Sequence, residues 1–295
     1  MKNAPVNRQF IETKLLKTKS KLKFKPVPYL LNLVLKLTGF KDIAYKNAGN
    51  LILKKEQFIF SNLAEEFSGF KILFITDTHI NGSLDTAAKI LSLTEKEQWD
   101  LCIFGGDYCK PSIIKDFNET LELRKLVESL SKISTVLGVL GNNDFYITGH
   151  AIEKSSGLVL INDNFSLMRN NKTLSFCGID DLHHFKSDDI EESLENVPDN
   201  SFKILISHSP EIYKKAEKSG FDLLLSGHTH GGQICLPGGR ALFKQAKIER
   251  SMINGKWNYR NLQGYTSPGA GCCVTPARFN CPPEITLITL LKEKE

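Results

Sequence analysis

The stretch that decides the fold is Phe221-Asp-Leu-Leu-Leu-Ser-Gly-His-Thr-His-Gly-Gly-Gln233. A short apolar run ends there in a Gly-flanked turn carrying two imidazoles two residues apart, His228 and His230. Apolar packing does not account for such a pair, whereas gripping a metal ion does. The design recurs four times upstream. Residues 70–76 end in Asp77-Thr78-His79, and 100–104 end in Gly105-Gly106-Asp107. Residues 134–140 end in Gly141-Asn142-Asn143-Asp144, and 202–206 end in Ser207-His208-Ser209-Pro210. Short apolar runs closed by polar or Gly residues are the pattern of strands buried on both faces. Open α/β sheets bind ligands outside the carboxyl ends of their strands. The five turns are therefore expected to converge on one crevice.

The side chains delivered to that crevice are two Asp, one Asn and four His, the last being over half of the seven His in the chain. Oxygen donors mixed with imidazoles, and no thiolate among them, suit Mn, Fe or Zn. Seven donors exceed one tetrahedral ion and suit two ions sharing a carboxylate.

In these motifs the chain resembles the calcineurin-like metallophosphoesterase family, whose pattern is D-x-H, G-D, G-N-H-[DE], a lone His before a Pro-containing turn, and G-H-x-H. The resemblance runs from about residue 71 to the C-terminus. It implies a four-layer α/β/β/α sandwich and two divalent ions, Mn2+ foremost, with Fe or Zn as the other choices. Asp77, His79 and His230 would hold one ion, Asn142, His208 and His228 the other, and Asp107 would bridge. Gly227-His-Thr-His-Gly-Gly-Gln233 together with Arg278-Phe-Asn-Cys-Pro-Pro-Glu-Ile285 looks like the bacterial, membrane-linked branch of the family. In these terms Asp107, Asn143 and Asp144 form the expected catalytic set. Arg278, in the late loops, is the candidate phosphate contact, with a structural ion pair as the equal alternative. Asp144 or Asp180 would accept from the second ring nitrogens of the ligating histidines.

Two ions about 3.5–4 Å apart activate water and neutralise phosphoryl oxygens during in-line attack, and phosphoryl transfer asks mainly for positioning and charge stabilisation. Outside the metal set no Ser, Cys or His has the neighbours of an activated nucleophile, so metal-activated water is the expected attacker. One position departs from the family: Asn143 stands where a His is expected. An amide donates a hydrogen bond but is no acid at neutral pH. An alkoxide leaving group would suffer from that loss, whereas a phosphate, with a second pKa of about 6, would suffer less. The substitution tilts the expectation towards phosphoanhydrides. His150, His183 or His184 would otherwise have to supply a proton, although a surface or packing role suits each of them as well.

The first residues differ in character. Residues 1–46 hold eleven Lys or Arg against Glu12 and Asp42, a net +9 in a chain whose total is +5, which leaves residues 47–295 at −4. Within that segment, residues 26–39 predict a short helix with Pro at its start, Gly at its end, and a polar stripe of Asn32 and Lys36. It is too short to span a bilayer, which takes about 20 apolar residues, and it lacks the cleavage site of a secretory signal. A basic amphipathic segment is expected to lie on an anionic membrane surface. The alternative is a helix packed on the catalytic domain. Nucleic acid ranks below both, because aromatics are not interleaved with the basic residues and the remainder is acidic.

At 41% hydrophobic residues the chain can bury a large core. Seven cysteines without a C-x-x-C spacing read as free thiols of a reducing cytosol. The expected layout is a basic leader, amphipathic helix and hairpin over 1–68, the hairpin at 51–60, followed by the catalytic α/β domain over 69–295. Helices are expected near 84–99, 117–133 and 211–219. The function this reading implies is a dinuclear metal-dependent phosphohydrolase, cytoplasmic and peripheral on the inner membrane. Its substrate would be a lipid-linked pyrophosphate or phosphodiester such as UDP-2,3-diacylglucosamine of lipid A synthesis. A general phosphodiesterase and a non-catalytic interaction scaffold on the same fold are the alternatives.

Overall fold

A computed structural model describes residues 6–17, 26–80, 85–109, 117–242, 246–273 and 275–294. Two mixed sheets lie at its centre. The chain first lays down β1 (Ile52–Phe60), β2 (Lys71–Ile75), β3 (Leu101–Phe104), β4 (Thr135–Gly138) and β5 (Leu158–Val159). It then builds the second sheet from β6 (Asp163–Arg169), β7 (Lys172–Gly178), β8 (Phe202–Ile206), β9 (Leu223–Ser226), β10 (Gly255–Tyr259) and β11 (Leu262–Thr266). The last strand, β12 (Glu284–Lys292), returns to the first sheet and inserts between β1 and β2, giving the order β1-β12-β2-β3-β4-β5. The second sheet runs β10-β11-β9-β8-β7-β6.

The period-2 alternation of strand side chains divides each strand between two cores. In β2, Ile72 and Phe74 face the other sheet and meet Ile103, Leu137, Phe176, Ile204, Leu225 and Tyr265, while Leu73 and Ile75 face outward. The outward face of the first sheet is covered by α4 (Thr86–Thr94), α5 (Leu121–Ser131) and α6 (Tyr146–Lys154), through residues such as Ile90, Leu126, Leu130 and Ile152. The outward face of the second is covered by α7 (Ile190–Ser193) and α8 (Tyr213–Lys218), through Ile190, Tyr213 and Ala216. The result is the expected four-layer α/β/β/α sandwich. All seven cysteines are free, as read from the sequence.

The chain begins with α1 (Val6–Lys17), α2 (Pro26–Leu37) and α3 (Lys41–Ala48). The helix expected over 26–39 is present as α2. The hairpin expected at 51–60 is not: that segment is one strand, β1, paired in parallel with β12 along its length from Ile52 to Phe60. It has no Gly or Asn pair to turn on, and its alternation puts Phe58 and Phe60 into the core between the sheets. A strand placed before the expected boundary at residue 68 is thus part of the first sheet. Nor is α1 a detached leader. Arg8, fully buried, pairs with Asp180 at 2.5 Å and donates to the Asp144 carbonyl oxygen at 2.8 Å.

Candidate metal centre

Strands β2, β3 and β4 run parallel in the first sheet and β8 and β9 in the second, and the turns that leave them meet, His208 Nε2 lying 3.5 Å from Asp107 Oδ2. Asp77 and His79 follow β2, Asp107 follows β3, Asn142 and Asn143 follow β4, His208 follows β8, and His228 and His230 follow β9. Five of these residues have left-handed backbones: Asp77 (φ 50°), His79 (41°), Asp107 (54°), His228 (67°) and His230 (50°). Each costs of order 1–3 kcal/mol outside glycine, and such strain concentrates where side chains must be aimed at a ligand. Two glycines leave the space those side chains occupy. A Cβ at Gly227 would lie 2.2 Å from Asp77 Oδ2, and one at Gly141 would lie 2.3 Å from Asp107 Oδ1.

The donor atoms meet in two groups. His79 Nε2 is 3.2 Å from His230 Nε2, which is 3.4 Å from Asp77 Oδ1. His208 Nε2 lies 3.3 Å from His228 Nδ1 and 3.5 Å from Asp107 Oδ2. Asp107 Oδ2 is also 4.0 Å from His79 Nε2, and therefore stands between the groups. The sets Asp77–His79–His230 and Asp77–Asp107–His208 each have their donor atoms within 4.8 Å of one another.

These atoms suit a cation better than they suit each other. Asp77 Oδ2 accepts from Thr76 Oγ1 and His228 N, yet Oδ1 is buried with no partner, and so is Asn142 Oδ1. Imidazole nitrogens at 3.2–3.3 Å share at most one proton, so lone pairs converge. Burial, and then the neighbouring His208, hold His228 down at about 3, and burial beside His79 holds His230 well below the usual range. Both rings are neutral, the form a metal requires. Burial raises the Asp77 carboxyl, and Asp107 raises it further. Burial would also raise Asp107, but the facing His208 and His79 overcome it and hold its carboxyl low. His208 is pushed up to about 10, Asp107 outweighing the desolvation. Two buried carboxyl groups crowded against His208 make a site that a divalent ion would neutralise.

The imidazoles are oriented by main-chain oxygens. His208 Nδ1 donates to Gly105 O at 2.8 Å and His79 Nδ1 to Cys109 O at 3.3 Å, which leaves each Nε2 facing inward. This corrects the expectation that Asp144 or Asp180 does so. Both carboxylates are engaged elsewhere, Asp180 by Arg8 and Ser187 Oγ. Asp144 Oδ2 accepts from Asp107 N and Gly141 N, and its Oδ1 accepts from Tyr108 N. It ties the turn after β3 to the turn after β4 from behind the site. Asn143 turns inward instead: its Nδ2 donates to Asp107 Oδ2 at 2.6 Å and its backbone N to Asp107 Oδ1 at 2.9 Å.

Arg278, expected as a phosphate contact, is fully buried. It donates to the carbonyl oxygens of His230, Pro268, Gly269, Gly271 and Cys281, which locks the C-terminal loops behind Asp77 and His230. Of the three histidines weighed as proton donors, His183 alone reaches the centre. Its ring stacks on His228 with centroids 4.6 Å apart, and its Nε2 lies 2.9 Å from Ser209 Oγ and 3.2 Å from Glu211 Oε2. His150 packs beside Phe117, and His184 beside Phe185. Arg8 escaped the sequence reading altogether. Its signal was that it is the sole arginine among the eleven cations of residues 1–46, and the planar guanidinium fork is the cation chosen for buried pairing.

Residues 70–232 match the model of the calcineurin-like phosphoesterase family. The chain is 31% identical over 239 residues to the uncharacterized metallophosphoesterase YkuE of Bacillus subtilis, covering 76% of this chain and 80% of that one. It is 24% identical over 263 residues to the phosphodiesterase YaeI of Escherichia coli, covering 86% and 93%. Among solved structures, a dimetal phosphatase from Danio rerio aligns over 69% of this chain and 88% of that one, with a TM-score of 0.44 and 14% identity. The chain belongs to the calcineurin-like phosphoesterase family.

Proposed function

We propose that the chain is a dinuclear metal-dependent phosphohydrolase that attacks a phosphoryl centre with metal-activated water. The observation that carries the reading is the convergence of His79, His208, His228 and His230 on the buried carboxyl groups of Asp77 and Asp107, with Asp77 Oδ1 and Asn142 Oδ1 lacking hydrogen-bond partners on a strained frame. Asp77, His79 and His230 are assigned to one ion, Asn142, His208 and His228 to the other, and Asp107 to both. Bound there, divalent ions supply Lewis acidity to the phosphoryl oxygens and lower the pKa of a water. The residues do the rest. Asn143 fixes both oxygens of Asp107, and the Gly105 and Cys109 carbonyls aim His208 and His79. Asn142, Asn143 and His228 are half-buried while the other donors are buried, so substrate enters from the side of the second ion.

The proposed substrate is a lipid-linked pyrophosphate such as UDP-2,3-diacylglucosamine. Asn143 supplies no proton, which favours a leaving group that needs none. Residues 26–48 supply a surface that fits a lipid partner. Leu35 and Ala44 anchor α2 and α3 against Ala277, while Leu33, Val34, Leu37, Phe40 and Ile43 face solvent among exposed Lys36, Lys41 and Lys46. Such an apolar face rimmed by cations suits an anionic membrane interface. Among the described residues no helix is long and apolar enough to cross a membrane. A general phosphodiesterase is the second reading, favoured by the similarity to YaeI.

A substrate panel with Mn2+ tests both: UDP-2,3-diacylglucosamine, bis(p-nitrophenyl) phosphate, a cyclic nucleotide and DNA. Preference for the sugar nucleotide supports the first reading and preference for the diesters the second. No turnover of any, with Mn2+ bound, would return the chain to the class of interaction scaffolds. Flotation with vesicles of phosphatidylglycerol and phosphatidylethanolamine tests the surface. Leu37→Glu with Ile43→Glu should leave the protein at the bottom of the gradient, and undiminished flotation would rule that surface out.

A further inference from the structure

Helix α1 is described at the side chains of residues 8–14. Of its described side chains Arg8 alone is buried, and its largest apolar residue, Phe10, is 68% exposed. Among the described residues, Arg8 and Glu12 attach it to the rest of the protein. Arg8 Nε and Nη2 grip the Asp180 carboxylate at 2.5–3.0 Å, and its guanidinium lies 3.8 Å over the Phe185 ring. Nη1 donates to Asp144 O at 2.8 Å. One turn on, Glu12 Oε1 accepts from Tyr146 N at 2.9 Å, capping the first turn of α6, where Phe145 offers no side-chain cap.

These contacts reach two loops from different sheets. Residues 142–145 leave β4 of the first sheet and carry Asn142 and Asn143. Residues 179–187 leave β7 of the second and carry Asp180, His183 and Phe185, and His183 stacks on His228. Both loops border the half of the centre formed by Asn142, His208 and His228. A buried ion pair adds little net stability because desolvation offsets its attraction, so stability alone gives weak grounds for keeping one here. It does fix geometry, since a planar fork held by a carboxylate, a carbonyl and an aromatic face admits one placement.

We infer that Arg8, with Glu12, is a positioning residue of the metal centre: α1 staples the 142–145 loop to the 179–187 loop and so sets the second ion's half of the site. The inference rests on the metal-centre reading above. It turns the basic N-terminus from an appendage into part of the catalytic frame.

The test uses the full chain. In Arg8→Gln, kcat on bis(p-nitrophenyl) phosphate with Mn2+ should fall at least about tenfold with KM little changed, as expected when a contact behind a ligand is lost. Calorimetric Mn2+ titration should show one of two ions weakened about tenfold and the other unchanged. Arg8→Lys should recover part of both losses, and Glu12→Ala should repeat them more weakly. If Arg8→Gln does not fold, Arg8→Met with Asp180→Asn removes both buried charges while still lacking the donor to Asp144 O, and it should show the same selective loss. Folded variants with kcat and both Mn2+ affinities within about twofold of wild type would overturn the inference, whatever their melting temperatures. A wild-type chain that binds two Mn2+ without turnover would remove the proposed activity instead, and the titration would still decide the role of Arg8.

Discussion

Two arginines are fully buried at opposite ends of the chain, and each stands behind one half of the centre. Among the described residues the Arg278 guanidinium meets main-chain carbonyls and a thiol, and it locks the loops beneath Asp77 and His230. Arg8 meets a carboxylate, a carbonyl and a ring, and it ties together the loops beside Asn142 and His228. The first is a structural keystone, because its loops have no secondary structure to satisfy their oxygens. The second is a clamp between two loops that leave different sheets. The deep half of the centre is therefore set by the fold itself, and the open half by an added helix.

Arg278→Ala breaks that comparison most severely. It strands several buried carbonyls at once, so it should cost at least about 3 kcal/mol, read as a lower denaturation midpoint, with activity lost as the fold is lost. Asp107→Asn should remove turnover with Mn2+ while leaving the melting transition cooperative, because its neighbours fill both halves. Turnover retained in that variant would break the assignment of a shared carboxylate. Gly227→Ala meets Asp77 Oδ2 and Thr76 Oγ1 within about 2.3 Å, which should cost about 1–3 kcal/mol and weaken the deep ion more than the open one. Comparing the two Mn2+ affinities reads it out. The mildest change, Asn143→His, sharpens the open half: a gain on a nitrophenyl diester without a gain on a pyrophosphate supports the leaving-group argument, and equal gains sink it.

Much of this was legible in the chain. Strands ending in Asp, Asn or His turns carry their own signal, since burial on both faces enforces a continuous apolar run and a turn can carry polar side chains only at its end. All seven candidate ligands are read in this way; the side chains of six of them, Asp77, His79, Asp107, His208, His228 and His230, meet in the structure, and Asn142 lies on the turn beside Asn143. The hairpin at 51–60 was misread because a strand that pairs with residues more than 200 positions away carries no local sign of its partner. Asp144, Asp180 and Arg278 were misplaced for a related reason. An ionisable side chain near a site motif looks the same in sequence whether it faces substrate or a main-chain amide.

The sequence by itself determined the layers and picked out the candidate donors, because alternation, apolar runs and turn residues are local properties of the chain. Only the tertiary structure decided what stands behind those donors. Which carbonyl aims which imidazole, which carboxylate is already occupied, and that a lone arginine in a lysine-rich segment reaches the catalytic loops all depend on contacts between distant residues. Burial gives those contacts their weight, since a charge removed from water must find its partner wherever the fold has put one.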